Sequence, residues 1–271
     1  MTRHLHLARC AAIALTVATV LSGTKAEARD GSGSPPEALA ETQQQLAVRL
    51  TAVGIGQTPP LLSNPADAIL LRAALDPAGL RPVTAANLGE GLDSCGVANR
   101  YNVTLMFVGS RKDELKGVAP EDAARIIAER SRQNAVRYQD ELALSMRFTA
   151  ACMARLVEPA ADFWEALPPA DRTRIRLDGL RQIRQGMANF YIGLIMSQAD
   201  PSSRPTNRAL MLEALLVNNR RLGQALTPDD RTRVITAING YLPGMTGVSK
   251  ADLERLRDEL ATMPCLQLCP L

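Results

Sequence analysis

The chain has 271 residues, 46% hydrophobic and 22% charged, with a formal net charge of +3, enough for one large domain or two small ones. Aromatic residues make up 3% and there is one tryptophan, poor material for stacking on sugars or bases. Its histidines, His4 and His6, both lie in a stretch that reads as a removable leader.

Arg3 and Arg9 form a positive start, Cys10 to Leu21 is an apolar run, and Ala26-Glu27-Ala28 is a small-x-small cleavage site. Residues 1–28 therefore read as a signal peptide cut after Ala28, which sends the protein to the periplasm or outside a bacterium. The apolar run is too short for a membrane span. Cys10 opens that run and precedes its apolar core rather than following it, so a lipid-anchoring cysteine is not indicated. No later stretch is apolar enough to cross a bilayer.

Cleavage removes Arg3, Arg9, Lys25 and Glu27, most of the positive excess. A near-neutral mature chain gives no electrostatic case for nucleic acid or an anionic membrane. Losing both histidines excludes Ser-His-Asp and Cys-His nucleophiles, histidine-ligated zinc and c-type haem attachment. No phosphate loop, calcium loop or metal-ligand cluster is present, so no cofactor or metal is expected. Cys95, Cys152, Cys265 and Cys269 remain, and an even number in an exported chain points to disulfides. The preferred pairing is Cys95 with Cys152 and Cys265 with Cys269, because the tail pair is already close in sequence. The rivals tie the tail to both other cysteines.

Residues 29–34 form a flexible lead-in. Ser34 and Glu37 make a capping box, and a helix follows to Val53 with Leu39, Leu46, Leu50 and Val53 inward. Gly54 to Pro60 is a break. Asn64-Pro65-Ala66-Asp67 starts a short helix that stops before Pro77, and Pro82-Val83-Thr84 opens another carrying Leu88, Leu92 and Cys95. Tyr101, Val103, Leu105 and Phe107 alternate as in a strand, but no partner strand exists, so 101–107 is assigned to helix. Gly109 to Gly117 is a polar loop, read as the boundary between an N-terminal helical half, 35–110, and a C-terminal bundle, 118–271.

Pro120 begins a long run towards Val157 with Ile127, Asn134, Tyr138, Leu142, Met153 and Leu156 on one stripe, ended by Pro159. A short helical turn with Phe163 and Trp164 leads into the expected organising helix, 168–199. Its stripe is Leu177, Leu180, Met187, Tyr191 and Leu194, and Asp200-Pro201 stops it. Gly186 and Gly193 share a face, which suggests close approach of a neighbour. Met211, Leu215, Asn218 and Leu222 mark the next helix. Thr227-Pro228-Asp229-Asp230 caps another with Val234, Ile235 and Ile238 inside. Ser249 and Asp252 cap the last, which carries Leu253, Leu256, Leu260 and Met263. Residues 166–175 echo 225–234, which shared helix-start chemistry explains. The prediction is an all-α, disulfide-stapled bundle of about seven to nine helices.

Polar residues on apolar stripes are the candidate binding residues: Arg184, Asn134, Tyr138 and Asn218. A buried arginine needs a carboxylate, and Glu141 is the candidate partner. These groups form either a hydrogen-bonded core network, the preferred reading, or a polar pocket for a small anion. The doublet Arg220-Arg221 reads as a solvated face. The leading function is a protein-interaction or scaffold role with an unknown protein partner. The alternative is a small-ligand carrier with a pocket between helices. An enzyme using paired carboxylates is the third class, the one least supported by the residues present.

Overall fold

The computed structural model describes residues 35–53, 58–109 and 116–271. The leader, the 29–34 lead-in with the capping residue Ser34, residues 54–57 of the first break and 110–115 of the boundary loop lie outside the described residues. Among the described residues there are nine α-helices and no strand, so the protein is an all-α bundle. The helices are α1 (Pro35–Val53), α2 (Pro65–Ala74), α3 (Leu88–Phe107), α4 (Pro120–Arg137), α5 (Gln139–Ala166), α6 (Arg174–Ala199), α7 (Pro205–Ala225), α8 (Pro228–Tyr241) and α9 (Gly247–Thr262). None is long and apolar enough to cross a membrane.

Proline and capping side chains account for most helix starts. Pro35, Pro65, Pro120, Pro205 and Pro228 occupy first helical positions, where a missing N–H costs nothing. The Asn64 side chain accepts from the N–H groups of Ala66 and Asp67, and the Thr227 hydroxyl accepts from the Asp230 N–H at 3.0 Å. The echoing segment begins its helix later. Pro168 stands where Thr227 does and has no side-chain acceptor. Pro169–Asp171 therefore forms only a 3-10 turn, and α6 starts at Arg174 behind Thr173, whose hydroxyl accepts from the Arg176 N–H. The expected start at 168 is corrected accordingly.

Residues 101–107 belong to α3. Tyr101 and Leu105, one helical turn apart, are both fully buried on a single face. Three boundaries differ from expectation. The long run from Pro120 breaks at Tyr138 (φ −109°, ψ 28°), separating α4 from α5. Pro159 does not end a helix; it lies inside α5, which continues through Phe163 and Trp164 to Ala166. An interior proline costs about 3 kcal/mol. Leu156, Val157, Ala160 and Ala161 are buried on either side of it, and their packing offsets that cost. The last helix begins at Gly247, whose φ of 69° turns the chain into it, two residues before Ser249.

The core has two apolar clusters, and α5 lies in both. Tyr138, Leu142, Phe148 and Cys152 join Leu39, Leu46, Leu71, Tyr101 and Leu105 in the first. Ala143, Ala154, Leu156, Val157 and Ala160 join α6 to α9 in the second. Small residues on α5 let α3 and α7 approach it closely. Gly91 of α3 contributes from the other side: a Cβ there would lie 2.9 Å from both Leu156 Cδ2 and Val83 Cγ2. Cys95–Cys152 then bonds α3 covalently to α5, and Cys265–Cys269 closes a loop after α9, the preferred pairing. Gly186 and Gly193 of α6 meet nothing within 4 Å of an added Cβ, so the expected close approach at these positions is absent.

Candidate functional site

Arg184 is buried on α6 and faces the C-terminal loop. Its Nη1 donates to the carbonyls of Leu268 and Cys269 at 3.2 and 3.4 Å, and its Nε stands 3.7 Å from Asp230 Oδ2. Asp230, also buried, takes the Thr227 hydroxyl on the same oxygen and Arg233 on the other. Glu141 is not the partner of Arg184. Its Oε1 accepts the Leu62 N–H at 2.9 Å, holding the turn before α2. Two neighbours of Arg184 treat the tail in the same way. Arg181 Nε donates to the Leu271 oxygen at 2.7 Å, and Arg231 donates to the carbonyls of Met263 and Pro264. Leu268 is thereby seated in the core.

The other sequence-derived candidates lie elsewhere. Asn134 donates from Nδ2 to the carbonyls of Met106 and Val108 at 3.0 and 3.1 Å, satisfying the C-terminus of α3. Tyr138 packs in the first cluster, with the Arg137 guanidinium over its ring at 5.3 Å. Asn218 bonds back to the Ala214 carbonyl of its own helix. Its neighbour Asn219 is the buried one: it accepts the Tyr191 hydroxyl at 2.8 Å and donates to Glu259 at 2.6 Å. Burial, and then the Glu259 charge, push the Tyr191 hydroxyl far above its ordinary range, so it remains a proton donor in this chain. Arg184, Asn134, Tyr138 and Asn218 share no hydrogen-bond partner.

Two buried carboxylates converge near α2. Asp67 accepts the Leu61 N–H and pairs with Arg49 at 2.9 Å, Glu141 holds Leu62, and the Tyr101 hydroxyl donates to the Pro60 carbonyl at 2.8 Å. All three side chains bind the main chain of residues 60–62, and the arrangement fixes that turn.

An open cleft of about 240 Å³ lies where α5, α7 and the disulfide-closed loop meet. Val157 and Glu158 come from α5, Arg220, Arg221 and Gln224 from α7, and Gln267 from the loop. The Leu266 N–H donates to the Gln224 carbonyl at 3.0 Å, fixing the loop against α7. Gln267 has a φ of 51°, a left-handed conformation uncommon for a residue with a side chain. Its side-chain oxygen is buried without a hydrogen-bond partner. Arg220 and Arg221 are exposed on the cleft wall and make no hydrogen bond or ion pair with any described residue, nor does the Glu158 side chain. Burial, and then the positive charge of Arg221, hold the Arg155 guanidinium below its ordinary pKa. Two arginines and one glutamate are thus the charged residues that line the cleft.

Glu158, Gln224 and Gln267 were not singled out in the sequence, and the Arg220-Arg221 doublet was read as a solvated face. The doublet was the one available signal, since Gln267 and Glu158 reach the cleft only through the fold. No protein-family model, no curated protein and no solved structure matches this chain.

Proposed function

We propose that this chain acts by binding, as a carrier of a small anionic ligand held between α5 and α7. The observation that carries this is Arg220 and Arg221, two guanidiniums on one cleft with no partner among the described residues. Guanidinium forks bind carboxylates in a bidentate, charge-assisted way. The leader and the two disulfides support a carrier that works in an oxidising compartment after export. The protein-interaction reading draws on a different observation: Val217, one helical turn before Arg221, is 76% exposed, and Leu266 of the loop 43%. A partner segment with an acidic group and an apolar residue suits that rim.

The test is calorimetric titration of mature chain with small carboxylates at low salt, beside an Arg220→Gln, Arg221→Gln double variant. Saturable binding that raises the melting temperature and disappears in the double variant is the expected result. If no small anion binds the native chain, the carrier reading fails and the interaction reading takes its place. N-terminal sequencing of exported protein is expected to begin at Arg29.

A further inference from the structure

Resting on that carrier reading, we infer that the ligand is a zwitterion of amino-acid size, its carboxylate on Arg220 and Arg221 and its ammonium on Glu158, beside Gln267. The cleft presents both signs of charge. Glu158 shares it with two arginines yet lies beyond ion-pair distance of both. A molecule carrying both charges spans that gap; a simple acid leaves Glu158 facing it with like charge. Gln267 lines the same cleft, and an ammonium supplies three donors to the polar groups around it. The position of Gln267 is enforced rather than loose. The Cys265–Cys269 bond closes the loop around Gln267, and the Leu266 N–H bond to Gln224 ties that loop to α7.

Size narrows the class further. A volume of about 240 Å³ is below the roughly 300–1,000 Å³ of sites for drug-sized ligands. The sole apolar lining residue, Val157, offers little to a large hydrophobic side chain. A small or polar amino acid fits the walls best.

The experiment titrates the full mature chain with three sets of probes: glycine, alanine and glutamine; acetate and succinate; and methylamine. An amino acid is expected to bind at least about tenfold tighter than acetate or methylamine. Glu158→Gln is expected to weaken the amino acid by about tenfold and to leave acetate unchanged or tighter. Circular dichroism and melting curves check that each variant is folded. If succinate or acetate binds as tightly as every amino acid, the zwitterion inference is wrong and the anion-carrier reading stands. If neither acids nor amino acids bind, both fall. An amino acid whose affinity is indifferent to Glu158→Gln also overturns the assignment of the ammonium.

Discussion

Two sets of arginines meet the same C-terminal loop and behave in opposite ways. Arg181, Arg184 and Arg231 reach main-chain oxygens between Met263 and Leu271, and Arg184 has Asp230 beside it. Arg220 and Arg221 line the cleft beside Gln267 and make no hydrogen bond or ion pair with any described residue. An irregular tail seated against a core has carbonyls with no ladder to satisfy them. A guanidinium carries five donors, so a few arginines can take over that task. An arginine engaged in this way holds the fold. Two cations left open on a cleft, with Glu158 beyond ion-pair distance, are the proposed ligand contacts.

The largest expected effect comes from the engaged set. Arg184→Met removes the donors to Leu268 and Cys269 and leaves buried Asp230 with the Thr227 hydroxyl and the half-exposed Arg233, costing about 3 kcal/mol in urea unfolding. Ligand affinity of the folded fraction is expected to stay the same. A variant of native stability that has lost binding would invert the roles assigned to the two sets.

Next is the loop itself. Replacing Cys265 and Cys269 by serine opens a short loop and costs about 2 kcal/mol by the chain-entropy model. It also frees Gln267, so affinity in the cleft should fall together with stability. Loss of stability with full affinity would mean that Gln267 does not touch the ligand.

A smaller pair of substitutions applies the same contrast to space instead of charge. Gly91→Ala pushes a methyl against Leu156 and Val83 and is expected to lose about 1 kcal/mol. Gly186→Ala adds its methyl to open space within a helix and is expected to gain about 0.5–1 kcal/mol. Melting temperatures moving in the same direction would show that one of the two environments is misassigned. The smallest stability effect belongs to the open arginines. Arg220→Gln with Arg221→Gln is expected to change unfolding free energy by no more than about 0.5 kcal/mol while abolishing binding.

Much of the helix map was legible because its causes are local. A proline at a first turn, a threonine or asparagine before it, and apolar residues three and four apart act within a few residues of chain. Pro228 behind Thr227 begins α8 where expected. The same locality explains one failure: Pro168 in place of Thr227 removes the cap, and α6 starts later. The disulfide pairing was also accessible, since Cys265 and Cys269 are separated by 4 positions.

What lay outside the sequence was every choice among distant partners. Arg184 was recognisable as a buried cation needing a carboxylate, but Glu141 and Asp230 were equally good chemically. Only the packing of α6 against α8 selects Asp230. Asn218 and Asn219 differ by one residue, about 100° around the helix, and that rotation decides which of them meets Tyr191. Pro159 carried a local stop signal that burial on both sides overrode. The cleft is the extreme case, because its walls come from α5, α7 and a loop at the far end of the chain. Capping, turn and periodicity energies are set by neighbours in sequence and can be read there. Pairing and cavity energies depend on which surfaces the folded chain brings together, and so they were decided by the tertiary structure.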